Sequence, residues 1–338
     1  MGELHEAHVE EHEAHLEKEK KRFLGQIKKF EEELIPLIDD FFSSESEDDF
    51  KKIQSLLGDL DFLGSESYLK LSKQEQDPQF IHDLTFFASP TNGFRNLLLL
   101  DNEFDLEKIK KQLKFFYENS LPYSMIMEGL LSRDKNDNIR DGVKRRVVNL
   151  ENMSTCLSVL SESGAMKFLI KEKFKFKEID PRSLLQEDEE VITVPGVIVN
   201  SLMNMVRNSC AERSVATIVE VDVEREGDLI VFRVIDNGKG MAQQHLEKGH
   251  SDAGYIFDKG KKSSGTGSTG LGLANLDKRI TSLDGILRVA SKRKLPDVGY
   301  GEQVNFTTET GEEKLPDIEL QKNQSTIFEI HLPITKKK

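Results

Sequence analysis

The chain has 338 residues, 37% hydrophobic and 32% charged, with a net charge of −13. That length suits two or three domains with proper cores, and the acidic balance argues against nucleic acid or an anionic membrane as the main partner. Its two cysteines, Cys156 and Cys210, exclude a disulfide framework and suit a reducing compartment. No apolar run reaches transmembrane length and the charged N-terminus has no apolar signal core, so the expectation is a cytoplasmic protein without membrane insertion.

Residues 1–40 are rich in Glu, Lys, Ala and Leu, with no proline before Pro36, which predicts a helix. His5, His8, His12 and His15 fall at helical spacing, but the surrounding glutamates and the terminal position favour a solvated, fraying helix over a metal site. Leu24, Ile27, Phe30, Leu34, Leu37 and Ile38 form an apolar stripe suited to packing on a partner helix. A serine-rich acidic break at 43–49 precedes a second short amphipathic helix over 50–63, and 65–77 reads as a linker. No known sensory module is legible here, so residues 1–75 form a helical N-terminal region of unknown role.

The text changes at Pro78-Gln-Phe-Ile-His82-Asp83-Leu84, where a long helix begins that ends densely apolar at 94–100. After an intervening region, 106–137, the apolar residues Val143, Val147, Val148, Leu150 and Met153 predict a second long helix over about 139–164. Two long amphipathic helices of this kind bury their stripes by pairing into a bundle. A lone histidine on a helix is usually structural. His82, however, is the single histidine between His15 and His245, and an acid follows it at once.

The most readable stretch is 199–273. Asn200, Asn204 and Asn208 recur every four residues within an apolar run, which places three amides on one face of a helix. Asn is a poor helix-interior residue, so such a line needs an occupation: phosphate oxygens, a hydrated cation, or neighbouring loops. Val219, Val221 and Val223 alternate with polar residues, and a turn at 225–228 leads to a second apolar run over 229–234, the pattern of a strand pair. Asp236-Asn-Gly238-Lys-Gly240 follows directly. It is ordinary turn chemistry, and equally a carboxylate able to accept from an exocyclic amine beside glycines that let the backbone come close. The glycine loop 263–272 then runs into a helix over 271–283, and N–H groups at such a helix start favour phosphate. Alone, that loop is no more than a flexible linker.

In this order and spacing the motifs resemble the nucleotide pocket of the histidine kinases and of the wider GHKL ATPase family. Residues 166–338 look like a catalytic ATP-binding domain, and 76–165 like the dimerisation and histidine-phosphotransfer hairpin that precedes it. The fold class implied is α+β: an N-terminal helical segment, a two-helix hairpin dimerising into a four-helix bundle, and a C-terminal α/β sandwich of the Bergerat type. By the same resemblance Asn204, Arg207 and Asn208 match the asparagine box, with Asn208 as the Mg²⁺ ligand and Arg207 on the phosphate side. Asp236, Gly238 and Gly240 match the first glycine box, with Asp236 on adenine, and Phe257 sits in a phenylalanine-box-like segment. Gly267, Gly270, Leu271 and Gly272 match the second glycine box, and Thr326, near the phosphates, belongs to the closing strand. An insertion at 294–324, an extra hairpin or a mobile loop, precedes that strand.

The resemblance implies ATP and Mg²⁺ as cofactors, autophosphorylation of His82 with Asp83 orienting its ring, and transfer to an Asp of a separate response-regulator receiver protein. A homodimer is implied as well. Two departures stand out. The first proline after His82 is Pro90, about a turn later than the family pattern, which leaves the hairpin register open. Phe86 occupies the position where many bifunctional members carry Thr or Asn, which argues against a strong phosphatase activity. The alternatives are a kinase-like scaffold, a serine kinase of the same fold, and a GHKL ATPase that only hydrolyses ATP. The last is disfavoured because Asn204, an amide that takes no proton at neutral pH, stands where those relatives carry a general-base Glu.

Overall fold

The structure is a computed structural model. It describes residues 2–64, 78–101, 103–133, 139–140, 143–162, 174–177, 183–210, 214–241, 257, 273, 276–295, 299–308 and 317–337. The chain divides into two compact units, Met1–Ser132 and Arg133–Lys338. The fold is α+β, with helices alone in the first unit and a curled sheet with helices in the second.

In the first unit, helix α1 (Gly2–Lys29) passes through a π-helical turn (Phe30–Leu34) into α2 (Ile35–Ser44), and α3 (Glu47–Asp59) follows after a two-residue break. Glu45 ends α2 in the left-handed region at φ 53°, and Ser46 starts α3 by accepting from the Asp48 N–H at 3.2 Å. The buried face runs Phe23, Ile27, Phe30, Leu34, Ile35, Ile38 and Phe41. It matches the expected stripe, except that Phe23 is buried where Leu24 was expected, and Leu24 and Leu37 are only half-buried.

Helix α4 (Pro78–Leu100), with Pro90 in its interior, leads through a short connection to α5 (Leu106–Leu131), whose start Asp105 caps by accepting from the Lys108 N–H. Phe94 stacks on Phe115 at 5.4 Å across the pair, and Phe30 meets Phe62 and Phe116 edge-on at 5.9 and 6.4 Å. Gln54 donates to the Leu98 and Asp101 carbonyls, Arg95 to that of Leu57, and the Tyr123 hydroxyl to that of Phe62. The N-terminal helices and the α4–α5 pair therefore share one core.

This corrects the element expectations. The helix after α4 lies at Leu106–Leu131, inside the stretch taken as an intervening region, and no single helix spans 139–164. Residues 143–149 are not helical: Arg146–Val147 form a short strand, β1, paired with Thr193 and Ile192, and the Val148 N–H donates to the Val191 carbonyl at 2.8 Å. Val147 is β-branched and settles on the sheet edge. Helix α6 begins only at Leu150 and ends at Glu162, with the Asn149 side chain accepting from the Asn152 N–H at its start. The expected division at 75/76 and 165/166 thus meets a boundary at 132/133, and β1 and α6 lie within the second unit.

The sheet of that unit runs β1-β3-β8-β5-β4-β2, with β6 also on β8 and β7 on β6. Here β2 is Phe174–Phe176, β3 Glu189–Thr193, β4 Val219–Glu226, β5 Leu229–Asp236, β6 Ile286–Leu295, β7 Gly299–Thr307 and β8 Thr326–Lys336. The expected β4–β5 strand pair forms, with Gly227 at φ +60° in its turn. Strand β8 is the spine: β5 and β6 flank its first half and β3 its end. One face carries Val221, Phe232, Val234, Leu287, Val289, Phe328 and Ile330, with α7 (Pro195–Cys210) packed on β4 and β5. The 294–324 insertion includes the end of β6, the outer strand β7 and a strap over 317–321. The strap's Ile318 and Leu320 cover Ala290, Ile327 and Ile235 on the opposite face. No helix among the described residues is long and apolar enough to cross a membrane.

Candidate nucleotide site

Helix α7 carries the asparagine line. It begins at Pro195, which suits a first helical position, and is apolar on most of its surface because the sheet and α6 cover it. Asn200 and Asn204 are buried and Asn208 is half-buried. Asn208 Nδ2 donates to the Asn204 backbone carbonyl at 2.7 Å, and Arg207 Nη1 donates to Asn204 Oδ1 at 3.3 Å. Asn204 Nδ2 is buried and makes no hydrogen bond among the described residues. An amide N–H left dry in this way costs about 1–3 kcal/mol unless something accepts from it.

Strand β5 delivers Asp236 to the C-terminal end of α7. Ser209 Oγ donates to Asp236 Oδ2 at 2.7 Å, while Oδ1 accepts from the Gly238 N–H and from Ser325 Oγ, both at 2.8 Å. Burial pushes the Asp236 carboxyl above the ordinary aspartate range, and these three hydrogen bonds pull it back toward the anion. The Ser325 N–H also donates to the Asp236 carbonyl at 2.8 Å. Thr326 stands opposite Asp236 in the β5–β8 register, but its hydroxyl shares a 3.1 Å bond with Ser291, which accepts from the Met241 N–H. The asparagine box, first glycine box and closing strand, separated by successive gaps of 28 and 90 positions (Asn208 to Asp236 to Thr326), therefore meet at one place.

Both glycines of the Asp236 loop approach other protein atoms closely. Gly240 sits at φ +65°, and a Cβ there would come within 1.8 Å of the Lys292 carbonyl oxygen. A Cβ on Gly238 would meet Ser214 Oγ at 2.5 Å. Both close approaches are thus to the protein itself, and the loop is sewn to β6 by Lys294 N–H to the Lys239 carbonyl at 2.7 Å. Asn237 secures the other side: its Oδ1 accepts from the Thr217 and Ile218 N–H groups at 2.8 and 3.0 Å.

Phe257 is fully buried, with its ring 5.3 Å from that of Phe306 on β7. Gly267, Gly270, Leu271 and Gly272 lie outside the described residues, and of the expected helix over 271–283 only α8 (Leu276–Thr281) is described. His82 and Asp83 fall in the first turns of α4, in the other compact unit. Reading by motif missed Ser209 and Ser325, which hold the Asp236 carboxylate. Their only signal in sequence is a hydroxyl next to a motif position, and that signal is weak.

The residues present fit an adenine nucleotide with its metal. Asn208 offers a neutral amide of the oxygen-donor class that Mg²⁺ accepts, Asn204 has a buried donor without a partner, and Asp236 is a buried acceptor held in place.

Residues 194–336 match the model of the histidine kinase-, DNA gyrase B-, and HSP90-like ATPase family. Over these residues the chain is similar to the ATPase domains of that family. It is 27% identical over 216 residues to the aerobic respiration control sensor protein ArcB of Escherichia coli, covering 61% of this chain and 25% of that protein. It is 24% identical over 218 residues to the sensor protein KdpD of Clostridium acetobutylicum, covering 62% and 22%. A third relative, the non-motile and phage-resistance protein of Caulobacter vibrioides, is 32% identical over 130 residues, 38% of this chain and 15% of that protein. The chain spans a quarter or less of these curated relatives. Among solved structures, the catalytic domain of histidine kinase ThkA aligns at TM-score 0.36 and 18% identity, covering 56% of this chain and 96% of that one.

Proposed function

We infer that the chain is an ATP-dependent protein-histidine kinase that phosphorylates itself on His82 and passes the phosphoryl group to an Asp of a separate response-regulator receiver domain. The observation that carries this reading is the convergence of α7, the end of β5 and the start of β8 on Asp236, beside the asparagine line. In this reading Asp236 accepts from the adenine amine, Asn208 holds Mg²⁺, and Asn204 and Arg207 lie toward the phosphates. The second glycine box, Gly267 to Gly272 with Leu271, covers the nucleotide, and Phe257 and Thr326 line the site. Bound Mg²⁺ would neutralise phosphate charge.

The α4–α5 pair serves as the phosphotransfer hairpin and as the contact between two copies in a homodimer. A neutral His82 nitrogen forms the N–P bond in line as the bond from the γ-phosphorus to ADP breaks. Asp83 orients the ring and balances its developing positive charge. Positioning and charge neutralisation carry most of such a transfer.

The test is incubation with γ-labelled ATP and Mg²⁺ beside His82→Gln and Asn208→Ala. Acid-labile, base-stable label on the wild type that drops at least about 100-fold in both variants is the expected result. Label surviving in His82→Gln moves the acceptor elsewhere and revives the serine-kinase reading.

A further inference from the structure

Asp236 is held from three separate places, and the geometry leaves one acceptor position over. A carboxylate offers about four lone-pair sites. Oδ1 spends both of its own on the Gly238 N–H and Ser325 Oγ, each at 2.8 Å. Oδ2 spends one on Ser209 Oγ at 2.7 Å. Burial around the group is nearly complete, at 7% exposure, and no ion pair to it is present among the described residues. Its partners are hydroxyls and one backbone N–H, supplied by α7, the glycine loop and the residue before β8.

The anchors of the two serines are themselves fixed. Ser209 belongs to the last turn of α7, next to Asn208, so the helix that carries the amides also sets the carboxylate. Ser325 is tied to β5 and β6 through the backbone: its N–H donates to the Asp236 carbonyl at 2.8 Å, and its carbonyl accepts from the Lys292 N–H at 2.8 Å. Loss of either hydroxyl frees the carboxylate to rotate and leaves a buried lone pair without a donor.

We propose that Ser209 and Ser325 are positioning residues for base selection: they clamp Asp236 so that one lone pair of Oδ2 faces the ligand, ready for an N–H donor of the base. The proposal rests on the nucleotide reading above and adds to it which oxygen receives the base and which residues aim it. A site built around one acceptor rejects a base that lacks the matching donor, because the acceptor is then left dry. Adenine carries an exocyclic amine, and hypoxanthine carries a carbonyl in its place. Selection between the two therefore reads the clamp, whereas a general loosening of the fold weakens both nucleotides alike.

The experiment uses the full chain and measures Kd for Mg²⁺-ADP and Mg²⁺-IDP by calorimetry. Wild type, Ser209→Ala, Ser325→Ala and the conservative Ser209→Thr are compared, with thermal unfolding as the folding control. Wild type is expected to favour ADP by about 100-fold, within the range for a missing hydrogen bond to a buried group. Ser209→Ala should cut that preference to about 10-fold or less with the IDP Kd unchanged within about two-fold, because Ser209 shares Oδ2 with the base. Ser325→Ala, acting through the other oxygen, should cut it less, and Ser209→Thr should restore it. A preference unchanged in both alanine variants, or both Kd values weakened by the same factor, overturns the clamp while leaving the nucleotide site intact. A wild type that binds neither nucleotide removes the nucleotide reading and the clamp together.

Discussion

The two compact units are stabilised by different means. The helical unit closes over apolar and aromatic side chains, with Phe30, Phe41, Phe62 and Phe116 fully buried and few charges inside. The sheet unit buries a row of charge across three adjacent strands. Arg233 on β5 donates from Nε to Glu329 Oε1 on β8 at 2.8 Å, and Arg288 on β6 lies 3.2 Å from Glu329 Oε2, which His331 also contacts at 2.8 Å. Burial works against both Arg233 and Glu329. The Glu329 carboxylate, with Glu226 and Glu224, nevertheless holds the Arg233 guanidinium above its ordinary range, and His331 and Arg233 hold the Glu329 carboxyl below its own. Apolar packing degrades gradually when a group is lost, whereas a charge row fails by leaving its neighbours unpaired.

Four measurements break or sharpen this contrast. The largest effect is expected from Phe30→Ala, which empties the meeting point of the Phe62 and Phe116 edges and should cost about 4 kcal/mol. Hydrogen exchange should show it in Leu106–Leu131 and leave β5 protected; loss of protection in β5 would mean that the units do not unfold separately. Glu329→Gln should cost about 3 kcal/mol by removing the carboxylate charge that Arg233, Arg288 and His331 share, with exchange rising in β5 and β8. Equal protection in the variant would show that the row is replaceable by neutral hydrogen bonds. Asn237→Ala removes the side chain that staples residues 217–218 to the glycine loop, and because that contact is exposed, about 1 kcal/mol is expected by urea unfolding.

The smallest effect is a pH slope. Hydrogen bonds from Arg225 and the Gln186 N–H hold the Glu189 carboxyl down to about 2. Its folded value therefore lies below its unfolded one, so its contribution is full above the ordinary glutamate range and is lost as pH falls toward about 2. Tm of the sheet unit should decline across that window, and Glu189→Gln should flatten the decline. An unchanged slope in the variant would assign the acid sensitivity to other carboxylates.

Several features were legible because local chemistry dictates them. The β4–β5 hairpin follows from alternating valines and Gly227, the N-terminal stripe from helical spacing, and the asparagine line from a period of four in an apolar run. Other features were not. Val143, Val147 and Val148 satisfy a helical pattern as well as an extended one, and it was pairing with Ile192 and Thr193 that decided for the strand. The helix at Leu106–Leu131 is hard to read in sequence because its charged first half hides a buried face of Ile109, Leu113 and Phe116. Arg233, Arg288 and Glu329 look like solvated strand residues until three strands align.

By itself, then, the sequence determined the class of the domain over 194–336 and the identity of its polar motifs, because turn glycines, helical spacing and donor chemistry act over a few residues. Only the tertiary structure decided which helix follows α4, that Gly238 and Gly240 make room for other protein atoms, and that Ser209 and Ser325 hold Asp236. The serine contacts join residues 27 and 89 positions apart, where the sequence specifies the groups but not their meeting.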